Sequence, residues 1–170
     1  MHSMDNYYVS KLLPLIAEAG VAAIPNPLIN ITLQGRSDSY PKRRGMTRVP
    51  ELLAAGVSVA FGQDCTKDPW YPLGSGDMLD VAHMGLHVAL MTAPQQMRQC
   101  FDLVTTAPAQ VLGLDAIFAN ELAVEGAQLT GQVSGRIVDA SVKADVLQQL
   151  ATAFGIRPAQ TVAIGDGAND

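Results

Sequence analysis

The 170 residues are 48% hydrophobic and 16% charged, with a formal net charge of −5, which is enough for one ordinary core or two small ones. The acidic balance, with a pI near 5.0, argues against a nucleic-acid or anionic-membrane partner, and Lys42-Arg43-Arg44 reads as a solvated basic loop. Cys65 and Cys100 have neither the C-x-x-C spacing of a zinc or redox site nor the number for a disulfide framework, no apolar run approaches a membrane span, and no charged leader precedes the first helix, so the expectation is a cytoplasmic chain.

Along the chain, helix and strand signals alternate. Val9, Leu12, Leu13 and Ile16 recur at helical spacing up to Gly20, with Pro14 weakening the middle. A short strand over Val21–Ile24 ends at Pro25-Asn26-Pro27, and Asn30 to Thr47, aperiodic and rich in Gly, Ser and charge, reads as a long loop. Val49–Ala55 reads as helix and Val57–Phe61 as a buried strand; beyond the loop carrying Trp70, helices are predicted over Asp77–Thr92, Pro94–Thr105 and Pro108–Leu112. Such alternation predicts α/β architecture with parallel strands and crossover helices.

After Leu114 the pattern changes. Glu121–Val124 and Leu129–Val133 flank a Glu125-Gly126 turn as a hairpin, and a helix over Ser141–Phe154, with Val146, Leu147, Leu150, Ala151 and Phe154 on one stripe, stops at Gly155. Thr161–Ile164 reads as a strand that runs into Gly165-Asp166-Gly167-Ala168-Asn169-Asp170. A Gly-flanked Asp leaving the carboxyl end of a strand suits a hard cation such as magnesium. The expectation is a small parallel sheet of Val21–Ile24, Val57–Phe61 and Thr161–Ile164 under helices, with a peripheral hairpin, marginal stability and self-association through exposed edges.

Other constellations carry less. His83 and His87 stand four apart on a predicted helix, a spacing open to two metal ligands, but no third ligand follows and they read as packing or surface histidines. Met78, Met84, Met91 and Met97 read as core filler, and Ser134-Gly135 and Gly74-Ser75-Gly76 as turns without a base to activate a serine.

Two resemblances account for much of the chain. Residues 1 to about 113 resemble the carboxyl-terminal part of bacterial cytosine deaminases of the amidohydrolase superfamily, through Ala23–Leu28, Leu33-Gln34-Gly35-Arg36, Tyr40–Gly45, Phe61-Gly62-Gln63-Asp64, Asp68-Pro69-Trp70-Tyr71 and His83–His87. That resemblance implies a partial (β/α) barrel, an Fe2+ or Zn2+ ion whose hydroxide attacks cytosine on the way to uracil, Asp64 as metal ligand and proton carrier, and Trp70 in the substrate pocket. Gln63 and Thr32 stand where the family carries histidine, and the other ligand histidines and acid/base glutamate belong to earlier barrel strands.

Residues from about 116 resemble phosphoserine phosphatases of the haloacid-dehalogenase-like superfamily, through Phe118–Leu122, Leu129-Thr130-Gly131, Ile137–Ala140 with Lys143, and Gln160–Asp170. This implies a Rossmann-like fragment acting on O-phosphoserine with Mg2+, in which Lys143 holds phosphoryl oxygens, Asp166 binds the metal, and Asn169 and Asp170 support substrate and catalysis. No D-x-D motif for the aspartyl nucleophile occurs, and loss of such a group removes on the order of 10⁴ to 10⁶ in rate. The expected organisation is therefore a deaminase-like fragment over 1–114 joined near Leu112–Asp115 to a phosphatase-like fragment over 115–170. Each site is incomplete. The alternatives are a phosphatase completed by a separate chain, or a non-enzymatic fusion.

Overall fold

A computed structural model describes residues 1–116, 118, 120–126 and 128–163. It resolves into two compact units, 1–116 and 117–170, of which the first is built on helices. These are α1 (Asn6–Glu18), α2 (Pro27–Leu33), α3 (Val49–Ala54), α4 (Met78–Val88), α5 (Pro94–Asp102) and α6 (Thr106–Leu112). Asp5 starts α1 by accepting a hydrogen bond from the Tyr8 amide, and Asp77 does the same for α4 through Leu79, which satisfies amides that the first turn leaves free. Pro14 sits inside α1 without ending it. It cannot donate to Ser10, but Ser10 is exposed and water can take that carbonyl.

Several helices close with the same backbone knot. At the end of α3, Gly56 lies at φ +77° while its amide donates to Leu53 and the next amide, of Val57, reaches back to the Leu52 carbonyl, a Schellman arrangement that glycine makes without strain. At the end of α4 the same bonds run from Leu90 to His87 and from Met91 to Leu86, yet the left-handed position, φ +57°, is held by a leucine. A branched side chain is disfavoured there. Each knot turns the chain directly into an apolar segment that enters the core.

That core gathers Met46, Val49, Leu52, Val57, Val59, Phe61, Val81, Met91, Cys100 and Leu103. Gly85 lets α4 lie on the Phe61 ring, which a β-carbon would strike. The expected strands Val21–Ile24 and Val57–Phe61 do run parallel, but they meet in a single bridge, Ala23 to Val59. Three bonds hold them: Ala23 to the Ser58 carbonyl at 2.9 Å, Ala60 to Ala23 at 3.1 Å, and Gly62 to Pro25 at 3.1 Å. The expected three-stranded parallel sheet is not formed among the described residues: Thr161, Val162 and Ala163 have no regular structure, and Ile164 lies outside the described residues. Two short segments without further neighbours gain too few ladder bonds to become a sheet. The expected loop from Asn30 is also corrected, because α2 continues to Leu33. Pro27 presets its first turn and Ile29, 2% exposed, anchors it in the interior.

The second unit holds an antiparallel hairpin of β1 (Glu121–Glu125) and β2 (Gln128–Ser134), with Glu121 opposite Ser134 and Glu125 opposite Gln128 and a register irregularity between Leu122 and Val124. The helix α7 (Ala140–Ala153) follows, then a 3₁₀ turn over Pro158–Gln160. Asp139 caps α7 by accepting from the Val142 amide and the Ser141 hydroxyl, and these bonds, that of Ser141 foremost, hold its carboxyl below the usual range. Arg136 pairs with Asp145 at 2.9 Å on the surface. The architecture is thus helix-rich with few strands, and no closed barrel is present among the described residues.

Candidate functional site

Asp64 leaves the Val57–Phe61 segment through Gly62 and Gln63, with its own backbone at φ +65°, a conformation aspartate tolerates better than most residues. Its side chain borders an open cleft of about 450 Å³, shared with His2, Asn30, Gln34, Met46 and Thr47 among others. α2 supplies Asn30 and positions Gln34 at its carboxyl end. His2 arrives from the chain start because Gly45, at φ +141°, presents only backbone to the imidazole, where any β-carbon would collide with the ring.

The polar groups here are short of partners. The Oε1 atoms of Gln34 and Gln63 are buried with no hydrogen-bond donor, while Gln63 donates through Nε2 to the Cys65 carbonyl at 3.4 Å. Buried carbonyl oxygens without donors are costly. Beside Asp64, the Cys65 thiol is pushed up to about 11, chiefly by its hydrogen bond to Asp68, then by burial and the charges of Asp68 and Asp64. It is therefore held as the thiol at neutral pH, not as a reactive thiolate.

Asp68 has a structural task. Its Oδ1 accepts from the amides of Trp70 and Tyr71, both at 2.9 Å, and the thiol bond with the Tyr71 amide holds its carboxyl below the usual range. This turn sends Tyr71, 5% exposed, inward and leaves Trp70 72% exposed. Trp70 does not line the cleft with Asp64.

An Fe2+ or Zn2+ ion does not fit the donors assembled around Asp64. No group of three or more His, Cys, Asp and Glu side chains able to hold a metal occurs among the described residues, whereas such ions take three or four nitrogen, sulfur or oxygen ligands. One carboxylate, one imidazole and neutral amides can bind and orient a small polar molecule by hydrogen bonds. In the second unit Lys143 stands exposed on the first turn of α7. Asp166, Asn169 and Asp170, the residues expected to complete a magnesium and phosphate site with it, lie outside the described residues.

Sequence inspection singled out Asp64 and passed over His2, Asn30 and Gln34. Gln34 sits inside the Leu33–Arg36 motif and carries a signal on that account. His2 has none, because its place depends on a glycine 43 positions later. No described helix is long and apolar enough to cross a membrane.

Known proteins of two enzyme families resemble the chain. The amidohydrolase family matches over residues 2–117. A 5-methylcytosine deaminase from Klebsiella pneumoniae, solved with 5-fluorocytosine, is 48% identical with a TM-score of 0.65, covering 68% of this chain and 28% of that one. A phosphoserine phosphatase from Archaeoglobus fulgidus is 49% identical over 70 residues, 41% of this chain and 20% of the relative. Another, from Lactococcus lactis, is 31% identical over 161 residues, 94% of this chain and 70% of the relative. The chain therefore spans about a fifth of the length of the archaeal phosphatase and about a quarter of that of the deaminase. By these matches the chain belongs to the amidohydrolase family through residues 2–117 and to the phosphoserine phosphatases through its likeness to the Lactococcus lactis enzyme.

Proposed function

We propose that this chain is a hydrolase hybrid that by itself turns over neither parent substrate. Its first part, residues 1–114, descends from a metal-dependent cytosine deaminase, and residues 115–170 descend from a magnesium-dependent phosphoserine phosphatase. The observation that carries the reading is the donor set around Asp64, where no converging group of three metal-ligating side chains occurs among the described residues. In the deaminases a bound metal supplies an activated water; Asp64 would be one of its ligands there, but stands in this chain without the others, and Trp70 lies off its cleft. In the phosphatase part, Lys143 would hold phosphoryl oxygens, Asp166 would hold Mg2+, and Asn169 and Asp170 would steady the substrate. The nucleophile that must form the phosphoenzyme bond is absent from the sequence.

What the cleft retains is recognition. Asp64 presents a carboxylate to a small ring bearing amino groups, with His2 and Asn30 on the same cleft, and cytosine has that chemistry. The reading thus predicts weak cytosine binding without ammonia release. Purified chain is to be incubated with cytosine plus Fe2+ or Zn2+, and with O-phosphoserine plus Mg2+. No product above the metal-only blank is expected, and saturable ammonia or phosphate release that Asp64→Ala or Lys143→Ala abolishes contradicts it. Self-association through the open flanks of the Ala23/Val59 pair belongs to the same reading, and sedimentation at rising concentration checks it.

A further inference from the structure

α4 carries His83 and His87 one turn apart, both exposed, and neither borders the cleft at Asp64. Their rings approach each other, with centroids 4.5 Å apart and planes tilted by 58°. His87 Nδ1 lies 2.7 Å from the His83 carbonyl oxygen. A carbonyl only accepts, so Nδ1 bears the hydrogen, and neutral His87 keeps its lone pair on Nε2. The backbone thus fixes the tautomer in the way a carbonyl does for histidines in metal centres.

We propose that His83 and His87 form a two-imidazole chelate for a divalent copper or nickel ion on the outer surface of α4. Two imidazoles one helical turn apart, with ring centroids 4.5 Å apart, are close enough to serve one ion together. Among the divalent first-row metals nitrogen ligands hold Cu(II) most tightly, and tetragonal Cu(II) and Ni(II) suit imidazole. The nearest acid on the preceding turn, Asp80, accepts from the Ser75 hydroxyl at 2.7 Å, and no third His, Cys, Asp or Glu completes a cluster among the described residues. Water fills the remaining corners.

The test is titration of the whole chain with copper(II) and nickel(II) chlorides in a non-coordinating buffer, followed by calorimetry and by electron paramagnetic resonance of the copper form. One ion per chain is expected, with hyperfine coupling to two imidazole nitrogens. His83→Ala and His87→Ala each lower the association constant on the order of 100-fold, because one arm of the chelate is lost, while circular dichroism stays unchanged since both side chains are exposed. The remaining histidine, His2, serves as control: His2→Ala leaves the two-nitrogen signal in place. Persistence of that signal in the H83A/H87A double variant, or its loss in H2A, overturns the proposal.

Discussion

Residues 1–116 bury a cluster of ten hydrophobic side chains, from Met46 to Leu103, whereas in the second unit Ala151 is the only buried hydrophobic residue among those whose side chains are described. Ile137, Phe154 and Val162 of that unit are 58%, 58% and 81% exposed. Yet both units form helices with the same devices: an aspartate at the start and a left-handed residue at the end. Local capping of this kind marks the starts of α1, α4 and α7. It does not supply a core, and the hydrophobic effect that stabilises a domain acts only where apolar area leaves water.

The sharpest way to break this contrast is to open the core. Leu52, 1% exposed, is expected to cost about 2 to 5 kcal/mol as Leu52→Ala, measured by urea unfolding, with most of the helical signal lost in one step. The matching truncation in the second unit, Val162→Ala, is expected to change stability by less than about 0.5 kcal/mol. Gly85→Ala comes next. Its new methyl meets the Phe61 ring, and overpacking of that kind costs about 1 to 3 kcal/mol. In the opposite direction, Leu90→Gly relieves a strained helix end while giving up a side chain that is 77% exposed, and a gain of about 0.5 to 1 kcal/mol in the same measurement is expected.

The smallest effect is the pH dependence that Asp38 contributes to the first unit. The bidentate Arg43 hydrogen bonds hold the Asp38 carboxyl at about 2, below its ordinary 3.8. A depressed carboxyl stabilises the fold above its unfolded value, and the contribution is lost as pH falls from about 4 to about 2. Because the pair is largely exposed, its part of the shift in urea midpoint over that range is small, and Asp38→Asn reduces the shift by that part while Asp68 and Asp139 keep theirs. An equal change in the variant contradicts the assignment to this pair.

Much of the secondary structure was legible because its signals are local. α1, α3, α4, α5, α6, α7 and the hairpin stand where periodicity, caps and turn residues put them. What was not legible depends on distant contacts. α2 forms inside a segment that lacks a helical period, because Pro27 and Ile29 are buried by elements elsewhere. The parallel sheet failed for the converse reason: Val21–Ile24 and Val57–Phe61 have the composition of strands, but they meet in a single bridge, and a short pair without a third strand is marginal. At the site, Asp64 was found through its motif. Its cleft partner His2 was invisible, since only the packing of Gly45 brings it there.

The central claim is that two hydrolase parts share this polypeptide while neither keeps the groups that begin its reaction. It is tested most directly by single-turnover assay of the intact chain at protein in excess over radiolabelled cytosine and over O-phosphoserine, each with its metal present. The account predicts substrate recovered unchanged in both, including any fraction bound at the cleft. Conversion of even one equivalent of either substrate, lost on Asp64→Ala or Lys143→Ala, would contradict it.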